Sequence, residues 1–390
     1  MSHLMNTYGR LALAFERGQG AWLWDTQGRR YLDALAGIAV NGLGHAHPRL
    51  VRAIAEQAGR LIHTSNIYQV PLQSRLGDRI AELSGMDKSF FCNSGAEANE
   101  AAIKLARLYG HQRGIESPAI VVMERAWHGR TLATLSATGS RKAQAGFEPL
   151  MSGFIRVPYN DLAAIAQVAE HNQHIVAVLL EPVQGEGGIR IADVEYQRAV
   201  HALCRARGWL YMVDEVQCGI GRTGTWFSFQ HAGVLPDVMT LAKGLGSGVP
   251  IGACVGAGVA ADVFKPGNHG TTFGGGPLVC AAALETLAVM ADDDLLGNAA
   301  RLGERMLVGL RNGLAGQPGV IEVRGQGLMI GVELDRPCGA LVGQAIDQGL
   351  LINVTQDSVV RLLPPLILDQ DQADQIVGQL VPLIRAFLAA

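Results

Sequence analysis

The 390-residue sequence predicts an α/β protein built around a mostly parallel β-sheet with helices on both faces. Between about residues 50 and 290, short apolar runs alternate with longer amphipathic stretches. Runs that are apolar at successive positions are typical of strands buried on both faces, and the intervening helices favour parallel pairing. Ligands of such sheets bind beyond the carboxyl ends of the strands, so the functional site is expected there.

Five strands and two helices are predicted within this region. The strands are KSFFCNS, AIVVME, IVAVLLEP, WLYMVDEV and DVMTLAKG, and each ends in polar or glycine-rich residues. The helices are AEANEAAIKLARLYG and EYQRAVHALCRARG. The second helix stretch ends at Gly208, where a C-cap glycine is expected.

The chain is predicted to form a large domain at residues 51–290 and a smaller α+β domain. The C-terminal part has strand patterns in VIEVRGQGLMIGVEL and LINVTQDSVVRLLPPLIL and a closing helix in DQADQIVGQLVPLIRAFLAA. Apolar residues recur in that helix at three- and four-residue steps. Residues 1–50 contain a hairpin pattern, GAWLWDTQGRRYLDAL, and could join either unit. We group them with residues 291–390 as the small domain.

Composition and charge narrow the class of protein. A net charge of −3 gives no electrostatic footprint for nucleic acid or an anionic membrane. No run of about 18 apolar residues occurs, and the opening residues lack the apolar core of a secretory signal. The six cysteines are scattered without a C-x-x-C pair, and His45 and His47 lack an acidic partner, so no metal site is predicted. We therefore expect a cytoplasmic protein.

A helix that could bind an anion is predicted to begin at Ser94. Ser94 and Glu97 form an S-x-x-E capping box directly after a predicted strand. The first turn, Gly95-Ala96, has no bulky side chain, so its N–H groups and the positive end of the helix dipole are open to a phosphate. Many α/β helices begin this way and cap only themselves, so this pattern alone leaves both interpretations open.

An acidic residue and a lysine follow two neighbouring predicted strands. Asp214 closes WLYMVDEV, and Lys243 closes DVMTLAKG 29 residues later, which is the length of a βαβ step. An ion pair between the two side chains, or a helix-capping role for Lys243, would be the structural explanation. The chain contains only five lysines among its 32 basic residues, which favours a chemical reason for a lysine at this position.

The helix start, the acid and the lysine together match the needs of pyridoxal 5′-phosphate. This cofactor requires a phosphate site, a carboxylate for its ring nitrogen and a lysine that holds its aldehyde as a Schiff base. Arginine cannot form that imine at neutral pH, which explains a lysine in an arginine-rich chain. The combination therefore favours the cofactor over three separate structural roles.

The sequence resembles the class III, ornithine-type aminotransferases of pyridoxal-phosphate fold type I along nearly the whole chain. The motifs that carry the resemblance are YLDALAGIAVNGLGHAHP, FFCNSGAEANEAAIKLAR, AWHGRTLATLSATG, LLEPVQGEGG, VDEVQCGIGRTG, LAKGLGSGVPIGA, HGTTFGG and VVRLLPPLIL. The resemblance implies a seven-stranded, mostly parallel sheet, a homodimer and transamination of small molecules. It implies an acylated ω-amino acid, N2-acetyl-L-ornithine, as amino donor and 2-oxoglutarate as acceptor, with glutamate as product.

The resemblance also implies roles for the residues around the cofactor ring. Lys243 would hold the cofactor covalently and then act as the acid and base of the proton shift. Asp214 would keep the ring nitrogen protonated, and Gln217 would bond the phenolic oxygen. Trp127 and Val216 would stack on the two ring faces. Trp127 stands where relatives usually carry Phe or Tyr, and its larger ring predicts a tighter pocket.

The phosphate contacts implied by the resemblance come from two subunits. Ser94, Gly95 and Ala96 would hold the phosphate within one chain. Thr272 would reach the phosphate of the partner subunit's cofactor, so that a homodimer completes each active site. Gly276 stands where Asn is usual in the family, and nothing in the sequence explains the difference.

The substrate contacts implied by the resemblance centre on two arginines. Arg130 would bind the α-carboxylate of the ω-amino acid with its bidentate fork. Arg361 would bind the α-carboxylate of glutamate or 2-oxoglutarate, and Glu186 would pair with Arg361 while the ω-amine substrate is bound. Thr271, which replaces a common Ser, and Tyr8 would line the pocket.

Three alternatives remain from the sequence. Gly256-x-Gly258-x-x-Ala261 is a weak dinucleotide fingerprint without the acidic residue that a nicotinamide-dependent dehydrogenase needs. A non-catalytic binding protein would leave Lys243 dispensable. Within the family, the competing amino donors are ornithine, succinylornithine, succinyldiaminopimelate and 4-aminobutyrate. His128 is expected to be structural rather than a general base.

Overall fold

The structure is a computed structural model that describes residues 3–390. Its strands form one sheet of seven, two of four and one of two. The strands are β1 (Phe15–Gln19), β2 (Trp22–Asp25), β3 (Arg30–Asp33), β4 (Lys88–Cys92), β5 (Ala119–Met123), β6 (Phe154–Val157), β7 (Ile175–Leu180), β8 (Val183–Gln184), β9 (Arg190–Ile191), β10 (Leu210–Asp214), β11 (Val238–Leu241), β12 (Gly252–Gly256), β13 (Val320–Gln326), β14 (Met329–Leu334), β15 (Leu350–Leu351), β16 (Asn353–Thr355) and β17 (Val359–Leu362).

The helices follow the amphipathic stretches of the sequence. They are α1 (Ala36–Ala39), α2 (Pro48–Ala58), α3 (Pro71–Ser84), α4 (Gly95–Gln112), α5 (Leu132–Ala137), α6 (Arg141–Gln144), α7 (Leu162–His171), α8 (Val194–Arg207), α9 (Pro277–Asp292), α10 (Leu295–Gly313), α11 (Ala340–Asp347) and α12 (Gln370–Ala389). Proline opens α2, α3 and α9, because its missing N–H would be unsatisfied there in any case. Helix α8 ends before Gly208, which adopts the expected left-handed conformation at φ +66°.

The large sheet confirms the predicted α/β architecture. Its strand order is β4-β12-β11-β10-β7-β5-β6. Strands β11, β10, β7, β5 and β6 pair in parallel, whereas β12 is antiparallel to both of its neighbours. Every residue of β5, β7, β10, β11 and β12 is buried, as expected for strands covered on both faces. Asp214 at the end of β10 lies opposite Thr240 of β11, so Asp214 and Lys243 leave the sheet at the same edge.

The N-terminal residues share a sheet with the C-terminal part. Strands β1, β2 and β3 pair antiparallel, as the hairpin pattern predicts, and β3 pairs in parallel with β15. Strands β13, β14, β17 and β16 form a separate antiparallel sheet. Helix α2 packs on α9, and these two helices cross the predicted domain limits at 51 and 290, so the limits themselves stay a prediction.

The structure can also be searched for membrane-spanning helices, metal-binding groups and a dinucleotide-binding motif. Within residues 3–390, no helix is long and apolar enough to cross a membrane, and no group of three or more His, Cys, Asp or Glu side chains could hold a metal ion. The dinucleotide interpretation of residues 256–261 is wrong. Gly256 ends the antiparallel strand β12, and only a five-residue 3-10 turn, Gly258–Asp262, follows it. A dinucleotide fingerprint needs a full helix in a βαβ unit.

Candidate active site

A cavity of about 430 Å³ lies at the carboxyl ends of β10 and β11, at the sheet edge where ligands of α/β folds bind. Nine of the predicted site residues line it: Ser94, Gly95, Ala96, Trp127, Arg130, Asp214, Val216, Gln217 and Lys243. The other five lie outside its lining: Tyr8, Glu186, Thr271, Thr272 and Arg361. The sheet therefore brings together residues that are up to 149 positions apart in the chain.

Helix α4 presents its N-terminus to the cavity. Ser94 Oγ accepts a hydrogen bond from the Glu97 N–H at 3.2 Å, so the predicted helix start is confirmed. The reciprocal half of the predicted capping box is wrong, because the Glu97 carboxylate accepts from the Asn93 N–H at 2.6 Å instead of from Ser94. A Cβ on Gly95 would lie 2.6 Å from Val216 Cγ1, so only glycine fits. First-turn N–H groups have no acceptor within their helix, which leaves them for an anion.

Asp214 is a buried carboxylate with fixed partners. Its Oδ2 accepts hydrogen bonds from Asn99 Nδ2 at 2.7 Å and His128 Nδ1 at 2.8 Å. Its Oδ1 accepts from the Val216 N–H at 3.0 Å. Because a carboxylate only accepts, His128 carries its proton on Nδ1, which makes it a structural partner of Asp214. Thr240 Oγ1 donates to Asn99 Oδ1 at 2.8 Å and so orients the amide towards Asp214.

Lys243 stands in a strained and unpaired position. Its backbone has a φ of +43°, a left-handed conformation that is uncommon for a residue with a side chain. No hydrogen bond or ion pair to its amine occurs within residues 3–390, so the Asp214–Lys243 salt bridge is not formed. Burial first, and then the positive charge of Arg361, lower the pKa of Lys243 to about 8. The neutral, nucleophilic form of the amine is therefore far more populated near neutral pH than that of a lysine with the usual pKa.

Glu181 is a cavity residue that the sequence analysis missed. It follows β7, is 3% exposed and lines the cavity. Its carboxylate accepts from the Trp127 N–H at 2.8 Å and from the Gly185 N–H at 3.4 Å. Burial, and then the nearby charge of Asp214, raise the pKa of Glu181 well above its usual value. An acid at the end of IVAVLLEP was the available signal, equivalent to that of Asp214 at the end of WLYMVDEV.

The two predicted substrate arginines have different surroundings. The Arg130 guanidinium stacks over the Trp127 ring, 4.6 Å from its centroid, and faces the cavity. Arg361 is 1% exposed. Its Nη1 donates to Glu186 Oε1 at 2.6 Å and to Gln217 Oε1 at 3.2 Å. The predicted pairing of Arg361 with Glu186 is thus present in the geometry, and Gln217 connects this pair to the cavity.

Three predicted site residues are not brought to the cavity within one chain. Thr271 Oγ1 accepts from Asn93 Nδ2 at 3.2 Å, beside the lining. Thr272 is exposed at the surface. Tyr8 is 70% exposed and contacts Arg10, whose guanidinium lies 5.7 Å from its ring centroid. Their predicted roles stay predictions, since the contact expected of Thr272 involves a second subunit.

The residues around the cavity fit pyridoxal 5′-phosphate. The start of α4 offers N–H donors to a phosphate. A carboxylate oxygen has two lone-pair positions, and Asp214 Oδ1 uses one of them for Val216, which leaves the other for a protonated ring nitrogen. Lys243 offers an unpaired amine in the same cavity. Each chemical group that the cofactor needs is therefore present.

Comparison with known proteins agrees with this geometry. The family model described as aminotransferase class-III matches residues 4–384. Acetylornithine aminotransferase 1 of Bordetella pertussis is 62% identical over 388 residues, covering 100% of this chain and 99% of its own. Acetylornithine aminotransferase of Nitrosomonas europaea is 58% identical over 388 residues with the same coverage. Among solved structures, ornithine aminotransferase from Toxoplasma gondii superposes with a TM-score of 0.95 at 34% identity, covering 99% of this chain and 93% of that one.

Proposed function

The chain belongs to the class III aminotransferases, and from that premise we propose that it transfers the ω-amino group of N2-acetyl-L-ornithine to 2-oxoglutarate. It is a pyridoxal-phosphate-dependent aminotransferase. The proposed products are N-acetyl-L-glutamate 5-semialdehyde and L-glutamate, in a ping-pong cycle that serves arginine biosynthesis. Full-length relatives named acetylornithine aminotransferase, at 58% and 62% identity, support this choice of substrate.

One observation supports an amino donor with a single carboxylate. Of the two arginines beside the cavity, Arg130 has no carboxylate partner in the described part of the chain, whereas Arg361 has one. Arg130 is open to the cavity and has no carboxylate partner within residues 3–390. Arg361 is closed by Glu186 at 2.6 Å. A donor with a single α-carboxylate needs only Arg130, while its ω-amine points towards Lys243. Glutamate carries two carboxylates, and its α-carboxylate would replace Glu186 at Arg361.

Two residues, Asp214 and Lys243, divide the chemistry between them. When bound, pyridoxal phosphate supplies an aldehyde carbon that takes up the amino group and a protonated ring that accepts the electron pair. Asp214 would keep the ring nitrogen protonated, with Oδ1 free to accept a second hydrogen bond beside that from Val216. Lys243 Nζ takes the proton from the substrate carbon that bears the reacting amine. A pKa of about 8 suits this role, because a general base works best with a pKa near the operating pH.

A homodimer in the cytoplasm is part of the proposal. Large exposed apolar side chains occur in the segment that carries Thr272 and in a segment bonded to it. Phe273 is 67% exposed, and Ile67 and Tyr68 are 81% and 66% exposed. Asn66, next to Ile67, donates from Nδ2 to the Thr271 carbonyl oxygen at 3.1 Å. Exposed apolar side chains of this kind support a contact with another protein surface. Six free and buried cysteines support a reducing compartment.

A panel of initial rates tests the substrate. N2-acetylornithine, ornithine, succinylornithine, N-succinyldiaminopimelate and 4-aminobutyrate are each offered with 2-oxoglutarate. We expect the highest kcat/KM for N2-acetylornithine and the lowest for 4-aminobutyrate, which carries neither an α-amino group nor an acyl group beside its carboxylate. A wide margin in favour of free ornithine would reject the acetylated substrate but leave the aminotransferase assignment intact.

A further inference from the structure

Arg130 is held by an aromatic ring instead of by a carboxylate. Its guanidinium carbon lies 4.6 Å from the centroid of the Trp127 ring. Its side chain is exposed, and no hydrogen bond or ion pair to it occurs within residues 3–390. A cation over an aromatic face is attracted by the ring quadrupole, most strongly by that of tryptophan. One face of the guanidinium is therefore covered, while its N–H edge stays open to the cavity.

The backbone at Trp127 is fixed independently of the Arg130 side chain. The Trp127 backbone N–H donates to Glu181 Oε1 at 2.8 Å. The next residue, His128, donates its N–H to Thr138 Oγ1 at 3.0 Å, and its carbonyl oxygen accepts from Asn99 Nδ2 at 2.9 Å. Glu181, His128, Thr138 and Asn99 are buried, so these hydrogen bonds are shielded from water. They fix the backbone that carries the indole, independently of the side chain stacked over the ring.

Gly129 allows the chain to bring Arg130 over that platform. Its φ of +141° is a conformation that residues with a side chain rarely adopt. A Cβ at this position would lie 2.5 Å from Thr134 Oγ1 and 3.0 Å from Ala96 Cβ. Only glycine therefore fits between His128 and Arg130, in both its backbone conformation and the space available to it.

We propose that Trp127 is a positioning residue for the substrate carboxylate, because it holds Arg130 in its binding orientation. The proposal rests on the proposed function, in which Arg130 binds the α-carboxylate of the amino donor. A guanidinium already held over a ring loses little rotamer freedom when a carboxylate binds, which raises affinity. The stack also leaves two parallel N–H donors at the open edge, which is the geometry of a bidentate carboxylate contact. A role of Trp127 in cofactor stacking alone predicts no such dependence on the carboxylate.

Two ligands that cannot react test this proposal on the holoenzyme. N-acetyl-L-norvaline keeps the acetyl group, the carbon chain and the α-carboxylate of N2-acetylornithine but lacks its ω-amine. N-butylacetamide is the same molecule without the carboxylate. We expect Trp127→Phe to raise the Kd of N-acetyl-L-norvaline by about 3- to 10-fold, the difference between indole and phenyl as a partner for a cation. The Kd of N-butylacetamide, also measured by isothermal titration calorimetry, should change by less than about twofold, since it makes no contact with the guanidinium.

A double-mutant cycle attributes the effect to Arg130. In an Arg130→Ala background, Trp127→Phe should cause no further loss of N-acetyl-L-norvaline affinity. If the Trp127→Phe variant has a lower melting temperature than the wild-type protein, Trp127→Tyr is used in its place. Equal weakening of both ligands by the Trp127 substitution, or its full effect in the Arg130→Ala background, would overturn the proposal.

Failure of the proposed substrate would be recognised separately. If the wild-type enzyme does not transaminate N2-acetylornithine, the substrate is wrong, and N-succinyl-L-norvaline, which also has no free amine, then replaces the acetylated ligand. The coupling between Trp127 and Arg130 is measured in the same cycle, and its absence would overturn the proposal with any of these ligands.

Discussion

The two guanidinium groups beside the cavity are held in opposite ways. Arg130 is exposed, stacks on Trp127 and has no carboxylate partner within residues 3–390. Arg361 is 1% exposed. It donates to Glu186 and Gln217 through Nη1, and to Asn353 Oδ1 through Nε at 3.1 Å and Nη2 at 2.7 Å. One group is ready to bind a carboxylate, and the other is already occupied.

This difference suggests how one cavity accepts two substrates in turn. A carboxylate reaching Arg130 displaces only solvent, whereas a carboxylate reaching Arg361 must displace Glu186. A buried guanidinium without a partner is costly, so Glu186 leaves only when a replacement carboxylate arrives. Glu186 is 28% exposed on its side chain, against 1% for Arg361, which makes Glu186 the partner that can move. We infer that the number of substrate carboxylates determines whether Glu186 stays.

Replacement of Lys243 should give the largest effect, because it removes the chemistry that both arginines serve. We expect Lys243→Ala to lower kcat for both half-reactions by at least about 10³-fold, the scale of a lost acid–base group. The purified variant should also lack the absorbance above ~400 nm of a lysine-bound cofactor. Lys142→Ala, a lysine outside the cavity lining, serves as the control. Turnover that persists in the Lys243→Ala variant would reject the assignment.

Replacement of Glu186 should leave both arginines without a carboxylate partner from the protein. Glu186→Ala leaves Arg361 without a carboxylate, so glutamate no longer competes with an internal partner. We expect the ratio of kcat/KM for glutamate to that for N2-acetylornithine to rise about tenfold, since removal of a closed state raises apparent affinity. Steady-state kinetics in both directions measure this ratio. Glu195→Ala, which removes an exposed partner of Arg198, should leave the ratio unchanged, and an unchanged ratio in Glu186→Ala would contradict the inference.

The smallest effect concerns the pKa of Lys243, which the Arg361–Glu186 pair influences. Its pKa is lowered to about 8 by burial first and by Arg361 second, while Glu186 raises it in part. Below pH 8 the amine is mostly protonated and cannot react with an aldehyde, so cofactor rebinding by the apoenzyme should slow about tenfold per pH unit from pH 7 to 6. Glu186→Gln removes the opposing charge and should move the midpoint to lower pH, as followed by absorbance above ~400 nm. A midpoint that moves upward would contradict this electrostatic account.

Much of the fold follows from local sequence patterns. The fully apolar runs predict the buried parallel strands, and the strand-end positions of Asp214 and Lys243 place them at one edge of the sheet. The βαβ step inferred from their spacing is wrong, because only the 3-10 turn Ser228–His231 lies between β10 and β11. The antiparallel direction of β12 was not predictable, because GACVG has the same apolar pattern in either direction. The carboxylate of Glu97 was assigned to the wrong N–H for a similar reason, since Asn93 and Ser94 are adjacent and only the backbone path decides between them.

Site residues that depend on contacts between elements were harder to predict. Asn99 lies on the buried face of α4 among alanines, and its amide reaches Asp214 only because α4 packs over β10 and β11. Glu181 follows an apolar strand, as Asp214 ends one. A buried amide in an apolar helix face and a strand-end acid are both signals that a sequence alone can supply. The roles of Tyr8 and Thr272 depend on contacts that one chain does not contain.

The central claim is that Arg130 and Arg361 serve different half-reactions. Single-turnover measurement of both half-reactions in the Arg361→Lys variant tests this claim most directly. Lysine keeps a positive charge for Glu186 but loses the planar fork that also binds Asn353. We predict that the rate constant with glutamate falls about 10²-fold, as expected for loss of a bidentate charged contact, while that with N2-acetylornithine changes by less than about threefold. An equal fall for both substrates would contradict the claim that the two arginines serve different halves of the reaction.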